Sequence, residues 1–242
     1  MIVLSVGMPR AGSGWHYNLV HDLVVAAGGQ DARAVRKRWL LAPALTEVNC
    51  NIGALTAKRL LPVMVPSLLG NTFTIKAHAG PKPYALRLIR RGLIRPTYIY
   101  RDPRAALLSA YEYGQRGLAE GRMTAFGGLT SIEKATEFML EYVHIWQAWM
   151  DCPQALHVRY EDMLSDYDGE IERLLGFLDI QPGEAVSKVV EQYRPGQTGK
   201  GDKGLHFHKG QPERFREVLT PEQLAACSRA FGGYLETMGY AE

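Results

Sequence analysis

Val3-Leu4-Ser5-Val6-Gly7-Met8-Pro9-Arg10-Ala11-Gly12-Ser13-Gly14-Trp15 opens the chain with an apolar run that breaks into Gly and Pro and then turns amphipathic. The run Ile2 to Val6 is continuous and rich in β-branched residues, which predicts a strand buried on both faces. Behind the break, Trp15, Leu19, Leu23 and Ala27 recur on one helical face with Val20 and Val24 beside them, and Gly28-Gly29 ends the helix. A strand, a Gly-rich loop and a helix in that order make an anion cradle. Successive loop amides and the open helix N-terminus hold phosphate or sulfate through backbone N–H groups alone.

The triphosphate-binding pattern G-x-x-x-x-G-K-[ST] is met at Gly7 and Gly12, but Ser13 and Gly14 fill the next two places. The lysine that clamps the β- and γ-phosphates and the hydroxyl that ligates Mg²⁺ are both missing. The only cation in the loop is Arg10. A nucleotide-dependent kinase is therefore the weaker reading of the loop, and a non-catalytic nucleotide-binding module stays open beside it.

The 242 residues, 46% of them hydrophobic, are enough for one α/β domain with a large core, expected over residues 1–242. A net charge of +3 is too small a bias for a nucleic-acid protein, yet it suits a site for an anionic nucleotide. The three cysteines, Cys50, Cys152 and Cys227, are far apart and form no C-x-x-C, so they read as small buried residues in a reducing compartment. No basic segment precedes the short N-terminal apolar run, which argues against a secretory signal. Leu60 to Leu69 is broken by Pro62 and Pro66 and falls short of the roughly 20 residues of a membrane span. A cytoplasmic protein with no membrane span is expected; its oligomeric state is not readable.

Further along, Arg33 to Trp39 is a basic cluster ending in an aromatic. It reads first as a solvated helix face, and second as a nucleotide or acidic-acceptor contact with Trp39 stacking on a base. Residues 43–70 mix Pro and Gly with Leu, Val and Met, as broken helices lining an apolar pocket would. Thr72 to Lys76 alternates as a second strand, and Lys76 and His78 point the same way at its end if the strand persists. A helix from Pro83 to Arg91 leads to the strand Thr97 to Tyr100, then Arg101-Asp102-Pro103-Arg104. Asp102 as N-cap and Pro103 at the first helical position start a helix whose Ser109 lies two turns on. Residues 114–130 are Gly-rich and predict a loop or lid. Thr130-Ser131-Ile132-Glu133 is a capping box for a long helix whose aromatic stripe through Trp146 and Trp149 reads as core. Ala155 to Tyr160 is a further strand before Glu161-Asp162 and a helix through Ile171 and Leu178. Thr220-Pro221-Glu222-Gln223 opens a last helix expected to reach Met238 with Gly239 as its cap. His206 and His208 make an H-x-H pair, but with no third ligand nearby no metal is expected. Strands alternating with helices imply right-handed crossovers and a parallel sheet.

Pro9-Arg10-Ala11-Gly12-Ser13-Gly14-Trp15 resembles the 5′-phosphosulfate loop of sulfotransferases that use 3′-phosphoadenosine 5′-phosphosulfate (PAPS). Four more segments match the pattern of that family in order. Lys76-Ala77-His78 looks like the segment with the catalytic His, and Tyr100-Arg101-Asp102-Pro103-Arg104 with Ser109 resembles the 3′-phosphate motif. Tyr160-Glu161-Asp162 resembles the segment near the adenine, and His208-Lys209-Gly210 through Phe215-Arg216 is similar in spacing to the C-terminal R-K-G-x-x-G-D-W-K motif.

The resemblance implies a three-layer P-loop-like α/β fold, a central parallel sheet flanked by helices. It implies sulfuryl transfer from PAPS to a hydroxyl or amine without a metal, leaving 3′-phosphoadenosine 5′-phosphate (PAP). His78 would be the base, and Arg10 and Lys76 would hold the developing charge. Donor contacts would come from Arg10, Ala11, Gly12, Ser13, Gly14, Trp15, Arg101, Ser109, Tyr160, His208, Lys209 and Gly210. The chain departs from the family at three places: Arg10 replaces the commoner Lys, His208 replaces Arg, and Glu213-Arg214-Phe215 replaces Gly-Asp-Trp. An Arg at position 10 keeps the charge but cannot give up a proton. The acceptor stays open among phenols, sugars, lipids and peptides, with residues 52–69 and 114–130 expected to shape its pocket.

Overall fold

The computed structural model describes residues 1–196 and 213–240. Its elements run β1 (Ile2–Gly7), α1 (Ser13–Ala26), α2 (Ala32–Arg38), α3 (Ala57–Leu68), β2 (Phe73–Ala77), α4 (Pro83–Arg90), β3 (Ile94–Tyr100), α5 (Pro103–Ala119) and α6 (Ile132–Met150). Then come β4 (Leu156–Arg159), α7 (Tyr160–Ser165), α8 (Tyr167–Leu178), α9 (Glu184–Gln192), α10 (Phe215–Val218), α11 (Pro221–Phe231) and α12 (Gly233–Thr237). The strands form one parallel sheet in the order β2-β1-β3-β4.

Every residue of β1 is buried, as its unbroken apolar run requires. Ile2, Leu4 and Val6 enter the core that also takes residues of α5 and α6. Val3, one step out of phase, joins Trp15, Leu19 and Leu23 of α1 and Ile171 and Leu174 of α8 on the other face. Helices thus cover both sides of the sheet, giving the three-layer α/β arrangement. The chain passes from β1 to β2 on one side and then to β3 on the other. That reversal opens a crevice beyond the carboxyl ends of the strands. Pro96 sits in β3 opposite Leu4, ahead of the point where β4 begins to pair at Thr97, so its missing N–H breaks no ladder bond to β4.

Several expectations are revised. Residues 57–68 are one helix, not broken pieces, although Pro62 and Pro66 both lie inside it. The two prolines stand four apart, and the intervening Val63 and Met64 are buried and hold the helix by packing. The Gly-rich stretch is helical as far as Ala119, and only residues 120–131 are irregular. Gly114 and Gly117 serve close approach: a Cβ at Gly114 would stand 2.2 Å from the Phe126 carbonyl oxygen, and one at Gly117 would stand 2.5 Å from Thr124 Cγ2. Ser131, not Thr130, caps α6, accepting the Lys134 N–H. Thr220 and Gln223 do form the expected capping box, but the last helix breaks at Gly232, whose φ of 42° and ψ of −132° end α11. Helix α9, packed on α1, is an element that the sequence reading passed over. In the basic cluster Arg33 and Arg36 donate to the carbonyl oxygens of Val48 and Leu45, and Trp39 packs against the core, so it is a solvated face.

Gly114→Ala is expected to lower stability by about 1–3 kcal/mol through overpacking against Phe126. Gly128→Ala, where a Cβ meets nothing within 4 Å, should stay within about 0.5 kcal/mol of wild type. Denaturant midpoints at constant m compare the two.

Candidate active site

The loop between β1 and α1 is shaped by two glycines that could be nothing else. A Cβ at Gly7 would lie 2.7 Å from both Ile99 Cγ2 and Ser13 Cβ. Gly12, at φ +76°, would put one 2.7 Å from the Tyr160 ring. The Ala11 N–H turns back to the Met8 carbonyl oxygen at 3.2 Å, and Met8 N–H bonds Ile99 O at 2.9 Å. No side chain caps α1, and its first turn has no acidic residue. The amides of Ser13, Gly14 and Trp15 therefore remain as an open, positively polarised N-terminus. The Trp15 indole is not part of that opening. It is buried, donates to Tyr193 O at 3.0 Å and stacks with Tyr167 at 6.2 Å, because it belongs to the apolar stripe of α1.

Two cations stand beside this N-terminus. Arg10, at φ 64°, donates from Nε to Ser109 Oγ at 3.2 Å, and its guanidinium lies 4.6 Å above the Tyr113 ring. Burial is the main influence that draws its pKa down, and the charges of Arg101 and Arg116 act in the same direction. Lys76 is 5% exposed and makes no ion pair among the described residues. Its neighbour across the strand pairing is Ser5, and the Asn51 bridge flanks it on the other side. Burial, with Arg10 adding to it, brings the Lys76 pKa down to about 8.

His78 lies just past the end of β2 and bonds the Gly7 carbonyl oxygen through Nδ1 at 2.6 Å. A carbonyl only accepts, so Nδ1 carries the proton and Nε2 keeps its lone pair in the neutral ring. Burial first and then the Lys76 charge lower the His78 pKa to about 4, against a small opposing pull from the Gly7 carbonyl. The next residue is also held, with Ala79 O accepting from Trp149 Nε1 at 3.1 Å.

On the far side of the loop, the Arg101 guanidinium lies 4.7 Å over the Tyr160 ring and its Nε is 4.0 Å from Glu161 Oε1. Tyr160 is 5% exposed, wedged between Gly12 and Arg101. The Asp102 side chain accepts the Arg104 N–H at 2.8 Å and opens α5 as expected. The ends of all four strands thus converge on one edge of the sheet. Arg10, Gly12, Lys76, His78, Arg101, Ser109 and Tyr160 are gathered there, while His208, Lys209 and Gly210 lie outside the described residues. Sequence reasoning missed Tyr113, though it stands one turn past Ser109 on the same helix face and that spacing pointed to it. It quoted Glu161 only as part of the Tyr160 segment and gave it no partner; Glu161 accepts from the Asp102 N–H at 3.3 Å and from the Tyr240 hydroxyl at 2.8 Å, and nothing local signals a partner so distant.

A parallel α/β sheet whose first turn is a glycine anion cradle, with cations and an oriented imidazole converging on it, defines a P-loop-type group-transfer fold. The sulfotransferase domain profile matches residues 2–239, and the chain belongs to the sulfotransferase family. Among solved structures it is similar to a mouse sulfotransferase complexed with PAP, with a TM-score of 0.63 and 15% identity, over 97% of this chain and 84% of that one. It is similar also to retinol dehydratase in complex with androsterone and the inactive cofactor PAP, with a TM-score of 0.58 and 18% identity, over 97% of this chain and 80% of that one. At these identities the likeness is one of fold. No curated protein matches in sequence.

Lys76, with its pKa lowered from 10.5 to about 8, gives a stability signature. Between those values the unfolded chain binds more protons than the folded one, so ligand-free stability rises with pH across that window. Lys76→Met should abolish this rise and stabilise the ligand-free protein at pH 7 by on the order of 2–3 kcal/mol. Urea unfolding of both proteins from pH 7 to 10.5 measures the difference, and an identical pH dependence refutes it.

Proposed function

We propose that this chain transfers the sulfuryl group of PAPS to a hydroxyl or amine of a small-molecule, glycan or lipid acceptor, with His78 as general base. The observation that carries the reading is the pairing of two cations, the half-buried Arg10 and the buried Lys76, with a neutral imidazole oriented by Gly7. Cations drawn out of water with no carboxylate partner among the described residues suit an anionic ligand. The family to which the chain belongs supports sulfuryl transfer.

In this reading the amides of Gly12 to Gly14 and the side chain of Arg10 hold the 5′-phosphosulfate. Arg101 and Ser109 hold the 3′-phosphate, together with His208, Lys209 and Gly210. Ser109 Oγ accepts from Arg10 and still has its own O–H to donate to a phosphate oxygen, so one hydroxyl couples the two ends. The acceptor oxygen forms a bond to sulfur as the bond from sulfur to the bridging phosphate oxygen breaks. The acceptor proton passes to His78 Nε2, and PAP departs with the electron pair. Lys76 and Arg10 stabilise the charge that develops on the bridging and equatorial oxygens. An arginine in the cradle keeps its charge throughout, which leaves proton transfer to the imidazole. Three free, buried cysteines support a cytoplasmic setting.

Calorimetry is expected to show PAP binding without Mg²⁺ and at least tenfold tighter than AMP; equal affinities, or a need for Mg²⁺, favour a kinase-like site and overturn the 3′-phosphate assignment. His78→Ala should cut turnover by about 10²–10⁴-fold with PAP binding retained. Because the His78 pKa is lowered to about 4, the base is neutral far below pH 6.5. The acid limb of kcat/KM, measured against donor, is expected near pH 4 to 5, and a bend at 6.5 would remove His78 from the role.

A further inference from the structure

Helix α5 places Glu112, Arg116 and Glu120 at successive four-residue steps, a spacing that gives an arginine an acid neighbour on each side. Neither acid is left for it. Arg214 pairs with Glu112, and Arg122 pairs with Glu120. Arg116, half-buried, makes no ion pair among the described residues. It is a third cation without a carboxylate beside the cradle.

Its charge reaches Arg10, yet it stands at the far end of the row from Arg101. Ser109, Tyr113 and Arg116 share one face of α5, and the first two touch Arg10. Arg116 continues that row on the order of 10 Å past Ser109 along the helix, away from Arg101 at its start. The wall there is aromatic. Tyr113 meets Phe126 edge to face at 5.8 Å, Phe126 meets Phe138 at 5.8 Å, and Phe138 meets Tyr142 at 5.0 Å. The chain of rings leads to α6, whose Ile145 lies 3.6 Å from where a Cβ on Gly80 would be, two residues beyond His78. These rings join α5, on which Arg116 lies, to the strand end that carries His78.

We propose that Arg116 recognises an anionic group on the acceptor, so that the preferred acceptors carry a carboxylate or a sulfate or phosphate ester besides the hydroxyl that is modified. This rests on the sulfuryl-transfer reading and adds the acceptor class to it. A planar guanidinium takes a carboxylate or an ester anion through two parallel N–H bonds.

The test uses the full chain loaded with PAP and matched acceptors that differ only in charge. They are 3-(4-hydroxyphenyl)propionate, methyl glucuronide and 12-hydroxydodecanoate, each against its methyl ester, and 4-hydroxyphenyl sulfate against 4-methoxyphenol. At least one charged member is expected to bind tenfold or more tighter than its neutral partner. In Arg116→Gln that ratio should fall to about one, and Arg116→Lys should recover part of it. The proposal is overturned if no pair favours the charged member, if the ratio survives in Arg116→Gln, or if both members weaken together, which would put Arg116 on the donor. PAP affinity is measured first for each protein. Failure of wild type to bind PAP refutes the sulfuryl-transfer reading itself, whereas PAP binding with no charge preference refutes only the role of Arg116.

Discussion

An ammonium group almost wholly removed from water, with another cation beside it and no acid paired with it among the described residues, is the constraint on which this site is organised. Lys76 cannot relieve it by moving. Its backbone N–H bonds Cys50 O, its carbonyl accepts from Ile52, and its strand pairs in register with β1 on the other side. Removing a charged group from water is costly unless something of opposite sign arrives, so the protein carries at rest a penalty that an anion relieves. Groups fixed in this way need no rearrangement when negative charge develops near them, which is the condition for electrostatic stabilisation of a transition state.

The same logic explains why α5 is long and firmly seated. It begins at Asp102, whose carboxylate pairs with the buried Arg104 at 2.9 Å, and Arg104 in turn donates to Ser228 of α11 at 3.4 Å. Its middle presents Ser109 and Tyr113 to Arg10. A single rigid rod thus sets the distance between Arg101 and the cradle. The elements on either side of residues 197–212 are tied to the same scaffold. Tyr193 accepts from Trp15 of α1 and donates to Asp22 at 2.6 Å, while Arg214 pairs with Glu112 of α5.

What could be read in the sequence, and what could not, divides along the range of the interaction responsible. The β1 run, the glycine break and the α1 stripe are local patterns, and all three stand where the residues put them. So do the Asp102 and Thr220 caps, because a side chain bonding an amide two or three residues away leaves its signature in the spacing. Gly114 and Gly117 misled because the reason for them, the backbone at Phe126 and the side chain at Thr124, is supplied by tertiary packing rather than by a turn. Pro62 and Pro66 misled because helix-breaking propensity is weaker than the burial of Leu60, Val63 and Met64. Thr130 and Ser131 are both competent caps one residue apart, and packing of Ile132 and Ala135 into the core chose the second. Helix α9 was legible in principle, since Val186, Val189 and Val190 recur at helical spacing. Of the site, the motif residues were visible, but the placement of Tyr113 and Arg116 and the partners of Glu161 depend on which helix faces the cradle, and that is a property of the assembled sheet.

The two titratable groups nearest the cradle are pushed in the same direction and still end on opposite sides of neutrality. Burial lowers both, yet Lys76 at about 8 remains largely cationic at pH 7 and His78 at about 4 remains neutral. The lysine charge is one of the influences that keep the imidazole unprotonated. For the proposed transfer this is the division of labour that the chemistry needs, a fixed positive charge beside an unoccupied lone pair. It also makes the division conditional on the donor. In the proposed reading, a phosphosulfate held in the cradle would bring negative charge to both groups and raise both pKa values, leaving Lys76 more firmly charged and His78 a stronger base when there is a sulfuryl group to transfer.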